Sequence, residues 1–228
     1  VSGVSAILAV CNGEPYLREA VDSMLGQSVP PDEIIVVDDG STDATPAILD
    51  SYGDALIRYR QDNAGQASAI VAGIARASGA FLSFQDADDV WMPDKTERQL
   101  AALAADPGLD AVFGMSEQFV SPELPEADRL RLTPPRAVLV GEIAGCMTIR
   151  RTAYDRVGGF GPGNHGAYFI DWLGRTRGVP FRSAILDEVV TRRRLHLNNY
   201  GRVQTIDRDR NLLSALRRHL TRRETGGG

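Results

Sequence analysis

A chain of 228 residues with 43% hydrophobic and 24% charged residues has material for one large globular domain or two small ones. Its formal net charge of -5 argues against a general nucleic-acid binder. Two distant cysteines, Cys11 and Cys146, lack metal-type spacing and do not support a disulfide framework, which fits a reducing cytoplasm; no run reaches the roughly 20 apolar residues of a membrane span, and no signal peptide is visible.

Residues 5–10 (SAILAV) are an apolar run with β-branched members and read as a buried strand. CNGEP at 11–15 breaks it, and Pro15 opens a helix in which Tyr16, Leu17, Ala20, Val21, Met24 and Leu25 recur at three and four. A second apolar strand at 33–37 closes on Asp38-Asp39-Gly40-Ser41, where Thr42 or Asp43 caps a short helix running to about Tyr52. A weaker strand at 55–59 leads to the turn Asn63-Ala64-Gly65. Ala67, Ile70, Val71 and Ile74 then mark one helix face, ended by Gly79. The fourth strand, 80–85, runs into Asp86, Asp88 and Asp89. Three carboxylates this close repel, and burying them unpaired costs several kcal/mol, so a divalent cation with oxygen ligands is the economical partner.

Strands apolar on both faces, alternating with helices, predict a doubly wound, mostly parallel α/β sheet with helices on both sides. Ligands collect beyond the carboxyl ends of such strands, where the loops at 11–14, 38–41, 63–66 and 86–89 all lie. Further on, Pro93 starts a helix with Leu100 and Leu103 on its buried side, and 110–115 reads as a strand. Residues 121–136, rich in proline and charge, read as a mobile loop or an inserted excursion. A strand at 146–149, a helix at 152–157, a glycine-rich stretch at 158–163, a helix at 168–177, one or two strands within 181–191 and a helix at 203–220 complete the chain. The basic stretch at 217–223 reads as a solvated helix face, with peripheral membrane contact as the alternative.

The segments VCNGEPYL (10–17), IIVVDDGSTD (34–43), Asn63-Ala64-Gly65 and QDADDVWMP (85–93) stand in the order and spacing of the inverting family 2 glycosyltransferases, which the chain resembles over its first 95 residues. The resemblance implies a GT-A fold with a nucleotide-sugar-binding half at 1–95 and a smaller acceptor-binding and catalytic-base half at 96–228. It implies a nucleotide-sugar donor, a UDP-sugar by preference, whose base meets Asp39 and the loop of Ala9, Cys11, Asn12 and Glu14. Gly65 and Gln66 lie against the nucleotide or sugar, and Asp86 and Ala87 face ribose or sugar. Asp88 with His196 holds Mn²⁺ or Mg²⁺, while Asp89 caps the next helix or supports the loop. Either Arg193 or Arg194 clamps phosphate. Asp171 takes the place of the general base, with apolar neighbours Ile170 and Trp172 expected to raise its pKa. Three departures stand out: Cys11 replaces a frequent aromatic, Ser68-Ala69-Ile70 lacks an arginine, and Ile170 replaces a glutamate. The acceptor stays open among glycan, lipid, small molecule and peptide. Two rival readings are a nucleotidyltransferase, which would want a basic residue in the CNGEPY loop, and a catalytically idle binding module with the same fold.

Overall fold

The computed structural model describes residues 3–132, 134, 136–161 and 167–199. The expected helix at 203–220, the basic stretch at 217–223 and His165 lie outside the described residues. The first four strands are β1 (Val4–Val10), β2 (Glu33–Asp39), β3 (Ile57–Gln61) and β4 (Phe81–Asp86). They pair in parallel in the order β3-β2-β1-β4, with α1 (Leu17–Leu25), α2 (Thr45–Asp50) and α3 (Gln66–Ile74) as crossovers. Both faces of β1 are buried, as a sheet covered on two sides requires. Ile7, Ala9, Ile35 and Val37 pack under α3 on one face, and Ala6, Leu8, Val10 and Val36 pack with Leu17, Val21 and Met24 of α1 on the other. The short helix α2 starts at Thr45, later than the capping expectation, and Asp43 accepts the Thr45 amide just before it.

The second half joins the same sheet. β5 (Val90–Trp91) leads into α4 (Lys95–Ala105), followed by β6 (Ala111–Val120), α5 (Glu126–Leu132), β7 (Val138–Leu139), β8 (Thr148–Arg150), α6 (Arg151–Val157), α7 (Tyr168–Thr176) and β9 (Ser183–Leu195). The order continues β4-β8-β6-β9-β5, with β7 on β6. β8 runs antiparallel to β4 and β6, and β9 runs parallel to β6 and antiparallel to β5. The excursion expected at 121–136 contains a helix, and the strand expected at 110–115 continues to Val120 because β9 supplies partners along its whole length. The β6–β9 register slips around Gly114, where a Cβ would stand 2.4 Å from a Val190 methyl, so only glycine lets the strands close there. Among the described residues no helix is long and apolar enough to cross a membrane.

The buried face of α4 departs from expectation. Leu103 is buried, Leu100 only half so, and Lys95, Thr96 and Gln99 fill the rest. Gln99 donates to the carbonyls of Val112 and Cys146, at 3.1 and 2.6 Å, and accepts from Thr148 Oγ1. Lys95 Nζ donates to Ser83 Oγ at 2.7 Å and lies 4.0 Å from the centre of the Trp91 ring. Burial without a carboxylate partner pushes this amine down to about 7 from 10.5.

Candidate active site

The site forms where the parallel strands end. Ala9 pairs with both Val37 and Asp86, and side chains alternate along each strand, so Asp39 and Asp86 project on the α3 side while Asp38 projects on the other. Asp38 accepts the Ser41 amide and pairs with Arg60 at 2.9 Å, closing the turn after β2. Asp39 is 3% exposed and accepts from Gln61 Nε2 at 2.7 Å and from the Ala64 and Gly65 amides at 2.8 Å. It therefore holds the loop that enters α3, where Gly65 adopts a φ of 89°.

The loop after β1 is stapled to the loop after β2. Asn12, at φ 55°, accepts the Thr42 amide through Oδ1 while its own amide donates to Ser41 Oγ. The Gly13 amide donates to Thr45 Oγ1, the Glu14 amide to Asp43, and Glu14 Oε2 accepts the Ala44 amide. Asn12 and Glu14 thus spend their side chains on shaping the cleft. Cys11 is exposed at its edge and receives Asn63 Nδ2 at 3.2 Å. Ala87 is half-buried beside the α1 core.

The acidic turn carries the strongest electrostatics. Gln66 Nε2 donates to Asp86 Oδ1 at 3.0 Å. Burial and then the neighbouring Asp88 push the Asp86 carboxyl up to about 6, with Arg193 pulling the other way. Burial, followed by Asp88 and Asp86, holds the Asp89 carboxyl well above the usual range. Asp89 does not cap α4. It supports the loop, accepting the Arg194 amide at 2.9 Å, while its carbonyl receives Gln85 Nε2.

Asp88 Oδ2 meets His196 Nε2 at 2.9 Å, although 108 residues separate them. Asn199 Nδ2 donates to the same oxygen at 3.0 Å, and the His196 ring lies 4.6 Å from the Tyr16 ring. Sequence reasoning missed Asn199; the Asn198-Asn199 pair just after His196 was the available signal. Two donors bound at about 2.1 Å and at right angles around one hexacoordinate ion stand about 3.0 Å apart, so the Asp88–His196 pair fits an Mn²⁺ or Mg²⁺ edge. No group of three or more His, Cys, Asp or Glu among the described residues converges to hold a metal. Phosphate oxygens and water would complete the shell, as is usual for such ions at nucleotides.

The arginine pair separates cleanly. Arg194 is 1% exposed and fully engaged, whereas Arg193 is half-buried and acts electrostatically on Asp86 and Asp89. Asp171 lies in the first turn of α7, 3.5 Å from Arg175 Nε, with its side chain 15% exposed. Of its neighbours in the chain, Trp172 is in the core and Ile170 is 40% exposed. Arg175 also donates to the Val157, Gly158 and Gly159 carbonyls, which fixes α7 against the glycine-rich stretch. Tyr168, one turn earlier, is buried, and its hydroxyl feels the Asp86 charge.

The sequence profile of the family described as Glycosyl transferase family 2 matches residues 5–158. An uncharacterised glycosyltransferase of Rickettsia prowazekii is 45% identical over 100 residues, which make 44% of this chain and 31% of that protein. One of Rickettsia conorii is 34% identical over 138 residues, 60% of this chain and 22% of the relative. The matched stretches thus span less than a third of these two relatives' length. Among solved structures, the mannosyltransferase PcManGT from Pyrobaculum calidifontis in complex with GDP-Man and Mn²⁺ superposes with a TM-score of 0.71 at 23% identity, over 97% of this chain and 65% of that one. TarS 1–349 from S. aureus in complex with UDP-GlcNAc gives 0.63 at 20% identity, over 86% and 60%. These likenesses show the fold, which is of the GT-A type.

Proposed function

The chain belongs to glycosyl transferase family 2, and on that premise we propose that it transfers a sugar from a UDP-sugar to an acceptor nucleophile with inversion at the anomeric carbon. The observation that carries the reading is the meeting of Asp88 and His196 at the mouth of the sheet, beside a cleft shaped by Asp39 and the 11–14 loop. In this reading residues 1–95 bind the donor, and 96–228 bind the acceptor and supply the base.

Asp39 Oδ2 keeps one lone pair after accepting the Gly65 amide and offers it to an N–H of the donor base. Ala9, Cys11 and the stapled Asn12–Glu14 backbone form the wall beside the base. Gly65 and Gln66 lie along the sugar-phosphate, and Asp86 and Ala87 line the ribose and sugar. Arg193 lies against the diphosphate, chosen over Arg194 because the Arg194 guanidinium is already held by Glu19, Ser121 and the Asp88 carbonyl. Asp88 and His196 would hold Mn²⁺ or Mg²⁺, which supplies Lewis-acid neutralisation of the leaving diphosphate. Asp171 takes the proton of the attacking hydroxyl as the new bond forms on the face of C1 opposite the diphosphate.

The test is release of UDP from UDP-glucose or UDP-GlcNAc with Mn²⁺, with GDP-mannose as the purine control. Asp88→Ala is expected to lower turnover roughly 10³-fold, the equivalent of several kcal/mol of charge stabilisation. A parent protein that neither turns over these donors nor binds UDP or GDP by calorimetry, with or without metal, would make the domain an idle binding module instead.

A further inference from the structure

Arg194 is the one arginine of β9 whose side chain is withdrawn from solvent, at 1% exposed, and it bonds to the acidic turn at both Asp88 and Asp89. Its amide donates to Asp89 Oδ1 at 2.9 Å and its Nε to the Asp88 carbonyl at 3.1 Å. Its own carbonyl accepts Asn199 Nδ2, the same amino group that donates to Asp88 Oδ2. The guanidinium lies between the Tyr16 and Phe119 rings, 4.8 and 4.6 Å from their centres, and Tyr16 is also the ring against His196. Its outer nitrogens pair with Glu19 of α1 and reach Ser121 and Glu123 beyond β6. α1 is the helix that the 11–16 loop opens into, so one buried cation links the donor-side loop to the turn that carries Asp88.

Burying a guanidinium costs several kcal/mol unless its donors are satisfied, and here the satisfying acceptors come from three separate elements. Such an arrangement has two consequences. It fixes the backbone at Asp88, and it makes that position depend on where α1 lies. We infer that Arg194 is a positioning residue, held by Glu19, that sets the reach of Asp88 toward His196 and so couples the donor loop to cation affinity. The inference rests on the proposed cation role of Asp88 and His196. Arg194 itself touches neither donor nor cation.

The test uses the whole chain with Mn²⁺ alone as the probe, bound ion being counted by electron paramagnetic resonance. UDP binding is measured by calorimetry in chelator and in Mn²⁺, and thermal midpoints are recorded in parallel. Glu19, on the surface of α1 and with its side chain 54% exposed, is the variant that spares the fold. Glu19→Ala and Arg194→Lys are each expected to weaken Mn²⁺ binding about tenfold, the low end for loss of an outer partner of a metal ligand. UDP affinity in chelator should stay within about twofold of the parent, while UDP affinity in Mn²⁺ falls with the metal. Glu19→Gln, which keeps an acceptor oxygen, should recover most of the Mn²⁺ affinity, a rescue that loss of general stability would not give. Parent-like Mn²⁺ affinity in both Glu19→Ala and Arg194→Lys overturns the inference alone. No Mn²⁺ binding by the parent overturns the proposed cation role and this inference with it.

Discussion

The loops after β1, β2 and β3 are stapled to their immediate neighbours in the parallel sheet, whereas Asp88 and Asp89 are held by a strand that arrives 105 to 108 residues later. On the donor side each side chain serves a neighbouring loop's amides: Asn12 for Thr42, Asp43 for Glu14, Asp39 for Ala64 and Gly65. On the far side the end of a single strand, β9, and the residue just past it deliver Arg193, Arg194 and His196 together. The difference teaches where each property resides. Cleft shape is distributed over many short contacts and tolerates the loss of one. The acidic turn depends on a few residues with large individual effects, because buried charges near one another have no water to soften a lost partner.

The comparison predicts unequal damage. The largest loss expected in the far half comes from Asp171→Asn, which should cut kcat between about 10² and 10⁴-fold while KM for the donor changes little. Steady-state kinetics with an identified acceptor would measure this, and a loss confined to KM would remove Asp171 from the base role. Next comes the buried amine behind the turn. The Lys95 ammonium titrates near 7 in the fold and at 10.5 when exposed. Between those values the unfolded chain holds a proton that the folded chain lacks, so the parent's stability gains up to about 1.4 kcal/mol per pH unit as pH rises; below 7 the penalty is complete. Lys95→Met should flatten that rise and be more stable than the parent at pH 7. Urea unfolding at pH 7, 8 and 9 decides, and identical slopes would show that Lys95 does not titrate in this window. Smallest is Asn12→Ala on the donor side. It removes the acceptor of the Thr42 amide and should cost about 1 kcal/mol of stability and weaken UDP several-fold in chelator, leaving Mn²⁺ affinity in place. A tenfold loss of Mn²⁺ binding in this variant would mean that the two sides are not separable as drawn.

Local pattern carried much of this architecture. The apolar runs at β1, β2 and β4 reflect burial on both faces of the sheet, and the three-and-four spacing of α1 and α3 reflects burial of one helix face against it, which composition along the chain records. Polar residues at strand ends pointed to the same edge of the sheet for the same reason. Partnerships across the fold were not legible. Lys95 and Gln99 look like a solvated helix face because periodicity counts apolar atoms, yet both are buried to serve Ser83 and the carbonyls of Val112 and Cys146. The 121–136 stretch looks unstructured by composition, yet its helix closes with Leu132 buried at 2% exposure.

The sequence by itself determined the order of strands and helices up to β4 and the gathering of carboxylates beyond it, because alternation and burial are properties of neighbouring residues. Only the tertiary structure decided that Arg194 is buried while Arg193 faces the acidic cluster, that Asn199 joins His196 at Asp88, and that Asp39 holds the Ala64 and Gly65 amides of the next loop. The reason is that a buried polar group must find its partner in space, and nothing in the local spacing of a chain says which distant strand will bring it.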